Sequence, residues 1–290
     1  MRTLMPLVVL SLVNVTVNAD VPACPMGGDW AFVPEFSDEF NGAQLDGAKW
    51  WDFNPEWYGR KPGFFARENV AVKDGCLQLS ARVQKPDEVT VENRVRGYDQ
   101  FTTSSVKSKK RIVYGYFEAR CKSMRASVCN AFWLYDPLDP PAKYREGSFS
   151  EEIDIFELFG KPTKAEYDRV YCTTVHRFYT PYVESIANYK QTPLPKKAAK
   201  QKVPFDFWAD FHVYGFLWTP TEMCWFVDGK EVFSRDNDYY STPLHVMFDC
   251  EIMKDWVGLP NSADLPATFD IDYVRVWQPK ELPFPKVKGF

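Results

Sequence analysis

Residues 150–160 read Ser150-Glu151-Glu152-Ile153-Asp154-Ile155-Phe156-Glu157-Leu158-Phe159-Gly160, a stretch in which acidic and apolar side chains alternate. Alternation with a period of two is typical of a β-strand whose two faces meet different surroundings. In such a strand Glu152 and Asp154 lie on one face, and the isoleucines that follow each of them lie on the other. The stretch therefore predicts a strand with one face toward the core and an acidic face toward a solvated cleft.

Glu157 does not fit a regular strand, because it lies five residues after Glu152 and would point to the opposite face. A one-residue β-bulge near Ile155 and Phe156 would return Glu157 to the acidic face, and bulges are frequent beside active sites. Three carboxylates on one face repel one another, which raises the pKa of at least one of them, as a general acid requires. Two carboxyl groups about 5 Å apart would suit a double-displacement glycosidase. The alternative interpretation is a solvated acidic edge strand.

Short segments rich in β-branched and aromatic residues recur along the chain, and Gly, Pro, Asn and Asp separate them. Asp228-Gly229 stands between two such segments and predicts a hairpin turn. No stretch has the length and period of a long amphipathic helix. This pattern predicts an all-β antiparallel sandwich or barrel. The predicted strands are Asn69–Val72, Cys76–Arg82, Gly115–Ala119, Phe211–Trp218, Met223–Val227, Val232–Phe233, Leu244–Phe248 and Phe269–Trp277.

We predict a single domain over residues 20–290, since no segment separates two cores. Three segments have loop-like composition. Pro137–Gly147 is predicted to be an exposed loop, and the Lys- and Pro-rich Lys190–Pro204 is the most loop-like interior segment. Pro279–Phe290 is predicted to be a loose tail.

Residues 1–19 have the features of a secretory signal peptide. Arg2 gives a positive start, the mainly apolar run Leu4–Val13 follows, and Val17-Asn18-Ala19 is a small-residue cleavage site. The apolar run is too short to span a bilayer. The alternative is an N-terminal strand or helix of the fold. We expect a secreted protein with no membrane partner.

The composition excludes some classes of function. A net charge of −4 with scattered charges argues against nucleic-acid binding. Seven cysteines without a C-x-x-C pair argue against a zinc site, and the odd count leaves the disulfide pairing open. Aromatic residues make up 17% of the chain, with ten Trp, which is more than a core requires. The surplus can stack on sugar rings or pack in β-sheets, and we expect both uses.

The acidic strand also carries a resemblance to a known family. Glu152–Glu157 resembles the bulged E-(I/L)-D-x-x-E signature of glycoside hydrolase family 16, and the similarity extends over nearly the whole chain after residue 20. The resemblance implies a β-jelly roll of two curved antiparallel sheets with an open substrate cleft across the concave one. The other matching segments are Phe36–Gly42, Tyr114–Arg120, Ala131–Leu134, Phe211–Gly215 with Trp218, Val227–Gly229 and Ile271–Trp277.

The resemblance implies a role for each member of the acidic strand. Glu152 corresponds to the nucleophile and Glu157 to the acid/base. Asp154 corresponds to the residue that hydrogen-bonds the nucleophile and tunes its protonation. Trp133 corresponds to the Trp that floors the sugar site beside the scissile bond, and its alternative role is core packing.

Four further positions resemble the β-agarase and β-porphyranase branch of the family. Trp57 lies in a W-x-G-R-x-P segment and would stack on a galactose or anhydrogalactose ring. In the same segment, Arg60 would orient its loop or meet a sulfate, and its alternative is a structural salt bridge. His176 would face the cleft, although the sequence departs from the agarase pattern directly after it, at Arg177. Glu251 would hydrogen-bond substrate hydroxyls.

The resemblance also implies a structural calcium ion on the convex face, while catalysis needs no cofactor. The matching positions are Glu39, Gly75 and Asp272, and only Asp272 would contribute a side chain.

Taken together, the sequence predicts a secreted, monomeric, retaining endo-glycosidase that cleaves β-1,4 linkages in agarose or porphyran. The polysaccharide is the expected partner. The alternatives within the family are a laminarinase or other β-glucanase, or a carrageenase. A non-catalytic lectin or carbohydrate-binding module would keep the Trp residues but has no need for three carboxylates with this spacing.

Overall fold

The computed structural model describes residues 21–136, 149–179, 190–191, 198–237 and 240–281. Within these residues the regular secondary structure is mainly β-strand. The strands are β1 (Trp30–Phe32), β2 (Trp50–Trp51), β3 (Gly63–Phe65), β4 (Val70–Lys73), β5 (Cys76–Val83), β6 (Phe101–Ser108), β7 (Gly115–Lys122), β8 (Cys129–Tyr135), β9 (Phe149–Phe159), β10 (Val170–Tyr179), β11 (Lys190–Gln191), β12 (Ala198–Lys202), β13 (His212–Trp218), β14 (Glu222–Val227), β15 (Lys230–Asp236), β16 (His245–Glu251) and β17 (Ala267–Pro279). The two short helices are α1 (Val91–Arg96) and α2 (Lys254–Val257).

The strands form two sheets that pack face to face. The convex sheet has the order β4-β5-β17-β7-β13-β14-β15, and β1 pairs with the end of β17. The concave sheet has the order β2-β6-β16-β8-β9-β10, with β11 and β12 on the outer side of β10. All these pairs are antiparallel, whereas β3 pairs with β6 in parallel, and β5 joins β6 at one edge. The predicted all-β jelly roll is confirmed.

The core between the two sheets is rich in aromatic rings. On the concave sheet Phe132 and Phe248 stack with their centroids 4.5 Å apart. Phe156 of β9 packs against Tyr214 of the opposite sheet with ring centroids 4.6 Å apart. Full burial of each such side chain stabilises the fold by roughly 1.5–3 kcal/mol. This packing holds β9 with its other face toward solvent.

The predicted strands all correspond to observed strands, with ends that differ by a few residues. The hairpin at Asp228-Gly229 is confirmed, and both residues have the positive φ that a type I′ turn requires (48° and 75°). The prediction for Lys190–Pro204 is wrong in part, because Lys190–Gln191 and Ala198–Lys202 pair with β10. Lys-rich strands of this kind are usual at sheet edges, and their composition resembles that of a loop.

Several sequence predictions lie wholly or mostly outside the described residues. These are the signal peptide, the loop at 137–147 and the tail from residue 282 onward, whereas Pro279 belongs to β17. All seven cysteines are described and all are free thiols. No helix in the described ranges has the length and apolar character needed to span a membrane.

Candidate active site

Strand β9 carries a bulge in the middle of the concave sheet. Against β8, Phe156 pairs with Phe132, and the next pair is Asp154 with Trp133, so Ile155 is an extra residue. The register between β9 and β10 shifts at the same place. The one-residue bulge predicted near Ile155 and Phe156 is therefore confirmed.

The bulge brings the three acidic side chains to one face. Glu152, Asp154 and Glu157 all line the same open cavity, which has a volume of about 340 Å³. Ile153 and Ile155 are fully buried in the core on the opposite face. The bulge therefore removes the parity mismatch of Glu157 and places all three carboxyl groups within one cleft.

The backbone at the bulge is held by side chains from neighbouring strands. The Asp154 carbonyl accepts hydrogen bonds from Thr173 Oγ1 at 2.6 Å and from Trp225 Nε1 at 3.3 Å. The Ile155 carbonyl accepts a hydrogen bond from the Tyr171 hydroxyl. A bulge interrupts the regular ladder, and these bonds satisfy carbonyl groups that water cannot reach.

Burial and mutual repulsion perturb the two glutamates. Burial, followed by the negative charge of Asp154, raises the pKa of Glu152 to about 8. The same two causes raise the pKa of Glu157 well above its usual range. His176 Nε2 on β10 lies 3.6 Å from Glu152 Oε1 and 3.6 Å from Asp154 Oδ2. A positive charge on His176 favours the ionised form of Glu152, so the environment distinguishes the two glutamates.

Trp133 and Trp57 form an aromatic wall beside the carboxylates. Their rings are perpendicular with centroids 6.3 Å apart, and both line the cavity. Trp133 donates its indole N–H to Asp249 Oδ2 at 2.9 Å. Trp133 also packs in a buried cluster with Met247, so it contributes both to the core and to the cleft.

Arg60 and Glu251 form an ion pair across the cleft. Arg60 Nε donates to Glu251 Oε2 at 2.6 Å, and the side chains are 50% and 5% exposed. Burial raises the pKa of Glu251, and the Arg60 charge opposes this shift. The geometry therefore favours the structural salt bridge among the interpretations of Arg60.

Several cleft residues escaped the sequence analysis. Lys107 is almost fully buried, lines the cavity and pairs with Glu56. Asp249, on the same strand face as Glu251, is fully buried behind the cleft wall, where it accepts the Trp133 hydrogen bond. The alternation along β16 could have identified it. Beyond the carboxylates the cleft continues into a space of about 600 Å³ lined by Lys254 and Trp256. Nothing in the local sequence of Lys107 marks it as a cleft residue.

Arg177, where the sequence departs from the agarase pattern, pairs with Glu151 on the face of the sheet opposite the carboxylates. Its Nε donates to Glu151 Oε1 at 3.1 Å, and Glu151 is fully buried. The other Glu151 oxygen accepts hydrogen bonds from the backbone N–H groups of Ser241 (3.1 Å) and Thr242 (2.9 Å). This network links β9, β10 and the segment before β16 directly behind Glu152 and His176.

Two of the three proposed calcium positions have side chains that already pair with arginines. Gly75 lies in the turn between β4 and β5, and Asp272 of β17 accepts a hydrogen bond from Arg120 at 2.7 Å. The Glu39 side chain pairs with Arg275 at 2.8 Å. Neutralisation by a guanidinium weakens the one charged ligand of this set, so the side chains do not favour the ion. Calcium binding stays a prediction.

A second group of possible ligands lies within the cleft itself. The ligand atoms of Glu152, Asp154 and His176 all lie within 4.8 Å of one another, which is close enough for a cation. The raised pKa of Glu152 opposes metal binding there, because a carboxyl group must lose its proton to become a ligand.

Comparisons with known proteins agree with this geometry. The family described as "Beta-porphyranase A-D, GH16 domain" matches residues 30–279. The κ-carrageenase of Pseudoalteromonas carrageenovora is 29% identical over 93% of this chain and 70% of its own length. β-Porphyranase E of Zobellia galactanivorans is 31% identical over 75% of this chain and 71% of its own length. The crystal structure of a β-porphyranase from the human gut bacterium Bacteroides plebeius aligns with a TM-score of 0.69 and 25% identity, covering 90% of this chain and 96% of that one.

Proposed function

This chain belongs to glycoside hydrolase family 16, and from that premise we propose that it is a retaining endo-glycosidase that cleaves β-1,4 linkages in agarose or porphyran. Glu152 is the nucleophile and Glu157 is the acid/base. The observation that carries the proposal is the bulged strand that turns these two glutamates and Asp154 into one cleft.

The chemistry follows a double displacement. The ionised Glu152 attacks the anomeric carbon while the protonated Glu157 gives its proton to the departing sugar oxygen. A water molecule then hydrolyses the glycosyl-enzyme, and Glu157, now ionised, removes the proton from that water. Asp154 repels negative charge on both glutamates, and a positive charge on His176 favours ionisation of Glu152. These opposing influences support the assignment of different roles to the two glutamates.

The charges in the cleft support an anionic galactan. Lys107 lines the cleft on the side of Trp57 but pairs with Glu56, whereas Lys61 and Lys254 line the part beyond the carboxylates. The ammonium groups of Lys61 and Lys254 suit a polymer that carries sulfate groups. Among the two proposed galactans, this distribution favours porphyran.

A carrageenase is the second candidate. The κ-carrageenase of Pseudoalteromonas carrageenovora matches 93% of this chain at 29% identity. β-Porphyranase E matches 75% of this chain at 31% identity. The basic groups in the cleft suit either sulfated galactan, so the two candidates differ in the sugar and not in the mechanism.

Incubation of purified protein with agarose, porphyran, carrageenan and laminarin, followed by sizing of the products, tests the proposal. We expect oligosaccharides of even length from porphyran or agarose, and none from a Glu152→Gln preparation. Products from carrageenan alone would establish the second candidate. Products from laminarin alone would show that neither galactan is the substrate, and would leave the proposed catalytic residues unaffected.

A further inference from the structure

At the bulge in β9, two consecutive backbone carbonyl groups accept hydrogen bonds from side chains of β10. The Tyr171 hydroxyl donates to the Ile155 carbonyl, and Thr173 Oγ1 donates to the Asp154 carbonyl at 2.6 Å. Tyr171 is fully buried and Thr173 is 1% exposed, so water cannot replace either hydroxyl. The two bonds hold the peptide units at the point where the strand departs from regular geometry.

We propose that Tyr171 and Thr173 are positioning residues that fix the bulge and thereby aim Glu157 at the scissile oxygen. Glu157 lies two residues after Ile155, and its partner on β10 is Cys172, between the two positioning residues. Without the hydroxyl groups the bulge can relax toward regular pairing, which would rotate Glu157 toward the core face. This inference rests on the proposed role of Glu157 as acid/base.

The core contains a matched control for Tyr171. Tyr214 stacks on Tyr171 with a centroid distance of 6.1 Å and an interplanar angle of 6°, and it is also fully buried. Within the described parts of the chain, its hydroxyl has no hydrogen-bond partner. Tyr214→Phe therefore removes the same atom from the same core without affecting the bulge.

The test measures kcat/KM for two substrates with different leaving groups. One is the polysaccharide that the wild-type enzyme hydrolyses, and the other is a 2,4-dinitrophenyl β-glycoside of the disaccharide it releases. Dinitrophenolate departs without protonation, so a misplaced acid slows the polysaccharide reaction much more than the aryl glycoside reaction. We expect Tyr171→Phe to lower kcat/KM by about tenfold to a hundredfold on the polysaccharide, and by under about threefold on the aryl glycoside. Tyr214→Phe should lose under about threefold on both.

Two further variants make every outcome decisive. Thr173→Val should show the same substrate selectivity with a smaller loss, because Trp225 Nε1 still donates to the Asp154 carbonyl. Thr173→Val replaces Tyr171→Phe if that variant does not fold by circular dichroism. Equal losses on both substrates, or losses no larger than those of Tyr214→Phe, would overturn the inference. Glu157→Gln provides the reference pattern for a missing acid. If Glu157→Gln shows no leaving-group selectivity, the acid/base assignment itself fails, and that failure is visible separately from the result with Tyr171.

Discussion

His176 Nε2 lies 3.6 Å from Glu152 Oε1, and the two residues are direct partners in the β9–β10 ladder. A positive charge at this distance favours the ionised form of Glu152, whereas burial and Asp154 favour the protonated form. The balance between these influences sets the pH at which Glu152 becomes reactive.

We expect kcat/KM to be highest at mildly alkaline pH, above about 8. The nucleophile must be ionised, so activity rises as pH increases through the pKa of Glu152, which is about 8. The acid must be protonated, so activity falls only when Glu157, whose pKa is also raised, loses its proton. A pH profile of kcat/KM measures both limbs, and its apparent pKa values belong to the coupled carboxylates. An acidic limb near pH 4 would contradict this expectation.

Glu152→Gln should abolish turnover, by about 10⁴-fold or more, because it removes the nucleophile. The fold and oligosaccharide binding should survive, since the Glu152 side chain lines the cleft and is not part of the hydrophobic core. Asp154→Asn should be severely but not completely impaired, because Asp154 tunes the glutamates without forming a bond to the sugar. Rates with the polysaccharide and binding by calorimetry check both variants. Activity of Glu152→Gln at the wild-type level would refute the assignment.

The same substitution should stabilise the protein at alkaline pH. The folded-state pKa of Glu152 is about 8 and the ordinary value is 4.5, so the folded state binds more protons than the unfolded state between these values. Stability therefore decreases as pH rises from 4.5 to 8, and Glu152→Gln removes this loss. At pH 8.5 we expect Glu152→Gln to have a higher Tm than the wild type, and each kcal/mol of stabilisation should raise Tm by roughly 2–4 °C. The difference in Tm should be smaller at pH 4.5. Glu92→Gln, at an exposed position of α1, should show no such trend.

The bulge was predictable because it is a local property of the sequence. A period of two together with the parity of Glu157 requires an extra residue near Ile155, and the extra residue is there. The hairpin at Asp228-Gly229 was predictable for the same reason, since two adjacent residues determine the turn.

Strand β6 and the ion pairs of the cleft were not predictable in this way. The β6 sequence consists mainly of Thr, Ser and Lys, yet every residue in it is buried. Distant partners satisfy some of these polar groups, as when Ser104 Oγ donates to the Ser80 carbonyl at 3.1 Å. The Arg60–Glu251 pair joins residues 191 positions apart, which no local pattern can bring together. Sequence reasoning identified both members of that pair but not their contact.

We expect hydrolysis with retention of the anomeric configuration. The two glutamates lie five residues apart on one bulged strand and line one cavity, which suits the short carboxyl separation of a retaining enzyme rather than the wider gap of an inverting one. Proton NMR of the first product decides the outcome. An initial α-anomer released from a β-linked chain would show that the mechanism is wrong.

The remaining prediction concerns Arg60, which either reads a sulfate group or braces the cleft. Its Nε donates to Glu251 at 2.6 Å, and Glu251 is 5% exposed, so removal of the guanidinium leaves a buried carboxylate without its partner. Such a loss destabilises the cleft itself, by about 2 kcal/mol after allowance for the exposure of Arg60. We therefore expect Arg60→Ala to lower kcat/KM on porphyran and on agarose by similar factors, about tenfold or more.

A control variant and a double variant separate the two roles of Arg60. Arg67→Ala breaks the exposed pair with Asp52 outside the cleft. This variant should leave kcat/KM on both polymers unchanged. If Arg60 braces Glu251, then adding Glu251→Gln to Arg60→Ala should recover part of the lost stability, because a neutral amide tolerates the buried site better than an unpaired carboxylate. A loss confined to porphyran, with agarose hydrolysis intact and no recovery in the double variant, would instead mean that the guanidinium meets a sulfate group.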